Sequence, residues 1–302
     1  MHKFFKGAIA VALLSTVAQA SDAPPAPPAP PAVVYADPAL WVIKDKDTTI
    51  YLFGTIHVLK PNIIWFDGGV KKAYDASSEV IFEILEPDAA AVQKLVLDRA
   101  IDKDGPPLSK KLPPEMAAGY AKAMESLGLP LAAFETIEPW FVTNTLTVLS
   151  IQKLGYNPEN GVDKHLMTAA KRDGKTLGEL ESVLFQLDLF DTMPEAQQIA
   201  LLGETIKELP EGDKVIKTMV DNWATGKSDA LGQLMNAEMA STPDLKKLLL
   251  TDRNIKWAQW IEKRMEKPGA LFIAVGAGHL AGPESVQALL KARRIKSKRI
   301  KS

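Results

Sequence analysis

Two segments of this chain end an apolar run in the same way. Ile50-Tyr51-Leu52-Phe53-Gly54-Thr55-Ile56-His57 lies near the start, and Leu271-Phe272-Ile273-Ala274-Val275-Gly276-Ala277-Gly278-His279 lies near the end. Each is a short stretch of aromatic and aliphatic residues that reads as a buried strand. Each stops at a glycine and delivers a histidine three residues later. Glycine lets a backbone leave a sheet at angles other residues avoid and lets other groups approach closely. In α/β folds the ends of such strands are where sites are built. Two of the four histidines in the chain occupy these equivalent positions.

The rest of the pattern surrounds these strands. Trp41-Val-Ile and Thr48–Phe53 flank Lys44–Asp47 and read as a hairpin, and a short helix is expected around Gly69–Asp75. Glu79–Leu85 reads as a further strand, with a helix starting at Pro87-Asp88. From Ala89 to Gly155 the pattern is helical, interrupted at Gly105–Pro107, Pro113-Pro114, Gly128–Pro130 and Pro139. Gly161–Asp173 is a helix with Lys171 and Arg172 in its last turn and Gly174 beyond, which suits the macrodipole and a glycine C-cap. A short strand over Thr176–Leu180 is followed by helices to Lys267. The last of these has apolar spacing at Ile255, Ala258, Ile261 and Met265, with Thr251 or Asp252 as N-cap. Strand Ala270–Val275, helix Pro283–Lys291 and a basic strand near Ile295–Ile300 close the chain. The expected fold is mixed α/β: a small mixed β-sheet core from the N- and C-terminal parts, carrying a large helical insertion.

The first residues do not belong to that fold. Lys3 and Lys6 precede the apolar run Ala8–Val17, and Ala18-Gln19-Ala20 is a small-residue cleavage site, so residues 1–20 read as a secretory signal peptide cleaved after Ala20. Its apolar run is too short to span a membrane. Residues 21–34 are a Pro/Ala-rich linker containing PPAPPAPPA, and residues 35–302 are the folded domain. The expectation is an exported, periplasmic protein with no stable membrane insertion. Removing Lys3 and Lys6 leaves 34 basic against 37 acidic residues, a balance that does not point to nucleic acid as a partner. There is no cysteine, which excludes a lipoprotein anchor, a thiol nucleophile and thiolate metal ligation.

His57 and His279 are natural ligands for Zn²⁺, Mn²⁺ or Co²⁺. A catalytic metal site adds a carboxylate and leaves one position for water. Glu83, after Val80-Ile81-Phe82, is the best carboxylate candidate, because a carboxylate among apolar neighbours needs a partner or a metal. An edge-strand or helix-capping acid is the plainer reading. Glu86 and Asp88 stand just beyond it as substitutes. Glu181 is either an acid at the start of the helix Val183–Met193 or a second carboxylate of the site. Arg253 falls in the first turn of its expected helix, where a cation opposes the macrodipole, which fits a clamp on a carboxylate or an oxyanion. His165 reads as packing, as do Trp223, Trp257 and Trp260. Gly276-x-Gly278-x-x-Ala281 matches a loose dinucleotide fingerprint. About 20 residues on, where the acidic ribose-binding residue belongs, the chain has Lys298 and Arg299. There is no Gly-x-Ser-x-Gly elbow, P-loop or His-Glu-x-x-His.

The ordered set Tyr51–His57, Glu79–Glu83, Gly161-Val-Asp163, Leu180-Glu181, Arg253-Asn254 and Val275–Gly282, spread from about Ala39 to Ile300, resembles the TraB/GumN family. That family is related to the Tiki metalloproteases and more distantly to erythromycin-esterase-like and ChaN-like haem-binding proteins. The resemblance implies a shared α/β core and an active site of two Gly-x-x-His motifs, a glutamate and an arginine, here His57, His279, Glu83 and Arg253. Through the Tiki branch it implies metal-dependent hydrolysis of a peptide or small-molecule substrate. In such a site His57 and His279 bind a divalent metal, Glu83 is a further ligand or the general base, and Arg253 stabilises developing charge. Through the haem-binding branch the alternative is a non-catalytic haem- or metal-binding periplasmic protein. One departure is Arg293-Arg294, where relatives tend to have glycine.

Overall fold

The computed structural model describes residues 32–85, 89–239 and 242–302. The signal peptide and nearly all of the linker expected from the sequence lie outside these residues, as do Glu86 and Asp88. Among the described residues there are eight strands: β1 (Val34–Tyr35), β2 (Leu40–Lys44), β3 (Thr48–Thr55), β4 (Ile63–Ile64), β5 (Glu79–Phe82), β6 (Thr176–Glu179), β7 (Gly269–Gly276) and β8 (Ser297–Ile300). β1 and β4 form a small parallel pair, and the other six make one sheet in the order β6-β5-β7-β3-β2-β8. The hairpin expected from the sequence is the antiparallel pair β2–β3, and β8 adds antiparallel to β2.

The four strands β6, β5, β7 and β3 run parallel, so their carboxyl ends share one edge. β7 lies between two parallel neighbours and is apolar on both faces, as a strand covered by helices on both sides must be. Its side chains alternate between two cores. Phe272 and Ala274 join Phe53, Val80 and Phe82 beneath helices that include Val162–Arg172 and Gly212–Ala224. Leu271, Ile273 and Val275 join Ile50, Leu52 and Ile81 beneath helices Asp252–Arg264 and Val286–Ala292. A one-residue slip in register would exchange these faces, so packing on both sides fixes the pairing. The result is the expected mixed α/β architecture, three layers with the sheet in the middle.

The helical insertion covers the carboxyl edge of the sheet. Several prolines that interrupt the apolar pattern are helix starts, with Pro114 and Pro139 in the first turns of Pro114–Ser126 and Pro139–Lys153. There the missing N–H is not needed by the helix. Helix Pro139–Lys153 is buried on nearly all sides, which its sequence, apolar around much of its circumference, allows. His165 packs edge-on against Trp65 and Phe66. Trp223 and Trp257 are buried and Trp260 is half-buried against the second core.

Two local expectations are corrected. Strand β5 stops at Phe82 rather than running on to Leu85, which leaves Glu83 at the strand end. The helix carrying Arg253 does not start at Thr251 or Asp252. A helical turn Pro243–Lys246 and a π-helical turn Lys247–Thr251 run into it without a break, and Thr251 has helical angles and no capping bond. Its buried face is Arg253, Asn254, Trp257, Ala258 and Ile261, while Ile255 is exposed. Two polar residues lie in the core where the apolar spacing placed Ile255.

Candidate functional site

The register of the parallel strands brings the sequence-predicted residues together. Thr55 of β3 lies opposite Gly276 of β7, so both Gly-x-x-His segments leave the sheet side by side at one level. β5 pairs Phe82 with Ala274, which sets Glu83 beside Gly276. The Gly276 N–H donates to Glu83 Oε1 at 2.6 Å. One strand further, the β5–β6 pairing continues past the strand ends. The Leu180 N–H donates to the Phe82 carbonyl at 2.9 Å, and the Glu181 N–H to the Glu83 carbonyl at 2.8 Å, which carries Glu181 to the same edge. Sites in α/β sheets form at this edge, beyond the carboxyl ends of the strands.

The two imidazoles are each held through Nδ1. His57 Nδ1 is 2.8 Å from Asp163 Oδ2, and the Thr55 hydroxyl donates to Asp163 Oδ1 at 2.5 Å. Asp163 sits in the first turn of helix Val162–Arg172, where a carboxylate is favoured. The Val162 N–H donates to the Ile56 carbonyl at 2.9 Å. A β-carbon on Gly161 would collide with the His57 carbonyl, so glycine is required for this approach. His279 Nδ1 is 2.6 Å from Asn254 Oδ1, and the Asn254 amide donates to the Glu284 carbonyl, which fixes its orientation. His279 therefore carries its proton on Nδ1, and Nε2 accepts from Arg253 Nη1 at 3.1 Å. The His279 ring lies 4.3 Å from that of Trp257, centroid to centroid.

Arg253 is 2% exposed and its donors are fully engaged. Nε donates to Glu181 at 3.0 Å, Nη1 to the Leu249 carbonyl and to His279, and Nη2 to Glu83 at 2.6 Å, with Glu181 Oε2 2.8 Å from Nη2. Leu249 belongs to the π-helical turn, a geometry found often at functional sites. Glu181 also accepts from Trp257 Nε1 and from Gln186, which reaches Glu83 as well. Glu181 is thus the buried anchor of Arg253 rather than an acid serving its own helix.

These contacts set the charges. Burial favours a neutral Glu83, but Arg253 outweighs it, and with both histidines and the Gly276 N–H holds the carboxyl at about 2. Burial also opposes charge on His57, yet Asp163 overcomes it and lifts the imidazole to about 9. His279 is depressed to about 3 by burial, with Arg253 acting in the same direction.

A methyl group on Gly276 would lie 3.0 Å from Glu83 Oε1, 3.6 Å from His279 Cδ2 and 3.9 Å from His57 Nε2, so the three side chains gather around a point that glycine leaves open. Two imidazoles anchored through Nδ1, with a carboxylate between them, are the donor set of a borderline divalent metal with its outer hydrogen bonds in place. The chemistry of the residues fits such an ion. The spacing is wider than a closed cage: His279 Nε2 is 3.8 Å from Glu83 Oε1, and among the described residues no three such side chains form a ready-made metal site. Arg253 now takes a lone pair from each of Glu83 and His279, and a metal would compete with it.

Sequence reasoning brought forward His57, Glu83, Glu181, Arg253 and His279, and all five meet here. It assigned no role to Asp163, Asn254 or Gln186. Asp163 and Asn254 stand inside the short motifs quoted above, each beside a residue that contacts the site, and that adjacency was the available signal.

The TraB/PrgY/gumN family matches over residues 39–299. The uncharacterized protein YbaP of Escherichia coli (strain K12) is 26% identical over 186 residues, covering 61% of this chain and 68% of its own length. An uncharacterized protein of Treponema pallidum (strain Nichols) is 22% identical over 290 residues, covering 87% of this chain and 83% of its own length. No solved structure matches the chain. With a match that spans the sheet, the insertion and every residue of the site, the chain belongs to the TraB/PrgY/gumN family.

Proposed function

We propose that the chain is an exported hydrolase of carbonyl compounds, acting on peptides, with a divalent metal held by His57, His279 and Glu83. The observation that carries this reading is the convergence of two Nδ1-anchored imidazoles and a carboxylate on the point left open by Gly276. When bound, the metal would lower the pKa of a coordinated water to about 7 and polarise a substrate carbonyl. Asp163 holds the His57 ring with Nε2 towards the point left open by Gly276, and Asn254 holds His279 with Nε2 3.8 Å from Glu83 Oε1. Asp163 also keeps His57 charged at neutral pH, so His57 must give up a proton before it can act as a ligand. Arg253 acts as a positioning residue. Its N–H groups are taken by Glu83, Glu181, His279 and the Leu249 carbonyl, so it orients Glu83 and keeps it ionised. Export rests on the leader pattern of residues 1–20, and among the described residues no helix is long and apolar enough to cross a membrane.

Metal content of the purified mature protein, measured by mass spectrometry beside His57→Ala and His279→Ala, tests the reading. Stoichiometric metal, lost in both variants together with hydrolysis, is the expected result. Unchanged metal content and hydrolysis in the variants would end it. One observation favours a second reading, a metal-free hydrolase in which His57, backed by Asp163, moves the proton: Arg253 already donates to His279 Nε2 and Glu83. Hydrolysis that survives chelation but is lost in His57→Ala would select it.

A further inference from the structure

The sheet supplies the polar groups of the site, but the space in front of them is built by the helical insertion. A cleft opens from His57, Glu83 and His279. Its far wall is made by Ile151, Ile216, Met219, Leu231, Met235 and Leu250. These residues come from helices Pro139–Lys153, Gly212–Ala224 and Ser228–Met239 and from the π-helical turn Lys247–Thr251. Among the described residues no lysine, arginine or aspartate lines the cleft, and its charged or titratable groups are the three side chains of the site.

Building on the hydrolase reading, we infer that the site takes a substrate with an uncharged apolar group beside its scissile carbonyl, and that Met219 and Met235 select that group. A chain terminus or a charged side chain entering the apolar end would lose its water and find no partner there. Methionine is unbranched and polarisable, so two of them make a wall that adapts to aliphatic and aromatic groups. The second Gly-x-x-His turn lies against this wall. A β-carbon on Gly278 would collide with the Met235 methyl, so the extra glycine in the second Gly-x-x-His segment lets Met235 lie over the turn that carries His279.

Binding separates this inference from the hydrolase reading. The mature protein and its Met235→Glu and Met235→Leu variants are titrated calorimetrically with octanamide, acetamide and 8-aminooctanamide, folding being checked by circular dichroism. The last compound sets an ammonium where the chain of octanamide ends. Octanamide is expected to bind at least tenfold tighter than either of the others. Met235→Glu should lose at least tenfold, and Met235→Leu should stay within threefold. Equal binding of octanamide and 8-aminooctanamide, or a folded Met235→Glu that binds octanamide as the parent does, overturns the inference. In a second arm, N-blocked and C-amidated peptides with leucine, glycine or lysine before the scissile bond are assayed, leucine being expected to give the highest kcat/KM. Lysine or glycine equal to leucine in that assay also overturns it. No turnover of any peptide, with octanamide selectivity and its Met235 dependence intact, would remove the hydrolase reading and leave the apolar pocket established.

Discussion

The two Gly-x-x-His arms leave adjacent parallel strands at the same level, and there their likeness ends. His57 is held by a carboxylate, is 21% exposed at its side chain and faces the cleft. His279 is held by an amide, is 2% exposed and accepts from a guanidinium. Desolvation works against charge on both rings. Asp163 reverses it on the first and raises His57 to about 9, whereas on the second Arg253 reinforces it and His279 falls to about 3. A repeated motif therefore sets where an imidazole stands, while the residue behind Nδ1 and the nearest charge set what the imidazole is.

Removing Arg253 breaks the comparison at its most stressed point. Arg253→Met leaves Glu83 and Glu181 buried without their common cation and frees His279 Nε2. Deleting one partner of a buried ion pair costs about 3–5 kcal/mol. Urea unfolding should show a loss of that size, and His279 should become easier to protonate. A loss under about 1 kcal/mol would mean that water replaces the guanidinium and that the network is not tightly closed.

Exchanging the partner of one arm sharpens the comparison. Asp163→Asn gives His57 the same kind of acceptor that His279 has, and should lower its pKa by removing the charge that overcomes desolvation. Replacing an outer partner of a ligating histidine typically costs about 10–100-fold in metal affinity or activity. The expected result is a drop of that order in metal affinity or kcat/KM in the folded protein. An unchanged kcat/KM would make Asp163 a purely structural helix residue.

The opposite shifts also give opposite pH limbs of stability in the metal-free protein. His57 has a folded pKa near 9, above its ordinary value of 6.5, so its contribution is complete below about 6.5 and is lost as pH rises through 9. His279 has a folded pKa near 3, below 6.5, so its contribution is complete above about 6.5 and is lost as pH falls towards 3. Glu83, depressed from 4.5 to about 2, adds to the acid limb. NMR titration of the two rings, with unfolding followed across pH, checks the signs. Asp163→Asn should flatten the alkaline limb and leave the acid limb standing. Two rings titrating together near 6.5 would erase the distinction.

Much of this was legible in the sequence, for a local reason. Strands β3 and β7 declare themselves because an apolar run ended by glycine is a short-range signal, and parallel register then brings their histidines together. What was not legible depends on distance or on burial against type. Asp163 is 106 residues from His57, and nothing near either one states that they meet. Arg253 and Asn254 look like surface residues to any reading of hydrophobic periodicity, which put Ile255 inside and them outside. The true start of that helix was hidden because the π-helical turn Lys247–Thr251 carries no capping residue to mark it. The cleft walls were illegible because an apolar residue facing a cavity and one facing another helix look the same in a sequence.

The smallest effect lies at the far ends of the helices behind the two arms. Helix Val162–Arg172, which carries Asp163, ends with Gly174 at φ 65°, with Gly174 N–H on the Lys171 carbonyl and Lys175 N–H on the Ala170 carbonyl. Helix Val286–Ala292, which follows His279, ends with the same pair of bonds from Arg294 and Ile295 to Lys291 and Leu290, but the left-handed residue is Arg294 at φ 64°. Among the described residues it is the one non-glycine with positive φ. This is a Schellman cap in both cases, and it favours glycine because a β-carbon is strained there. The departure from glycine noted in the sequence thus falls on the backbone position that needs it. Arg294→Gly should stabilise the protein by about 0.5–1 kcal/mol, the relief of strain exceeding the greater flexibility glycine gives the unfolded chain. Gly174→Ala should destabilise it by a similar amount. Both are read from the urea midpoint at unchanged m-value. Neither should alter metal content or turnover, since the caps lie at the ends of the helices remote from the site. A destabilised Arg294→Gly would show that the Arg294 side chain does more for the helix end than its backbone strain takes away.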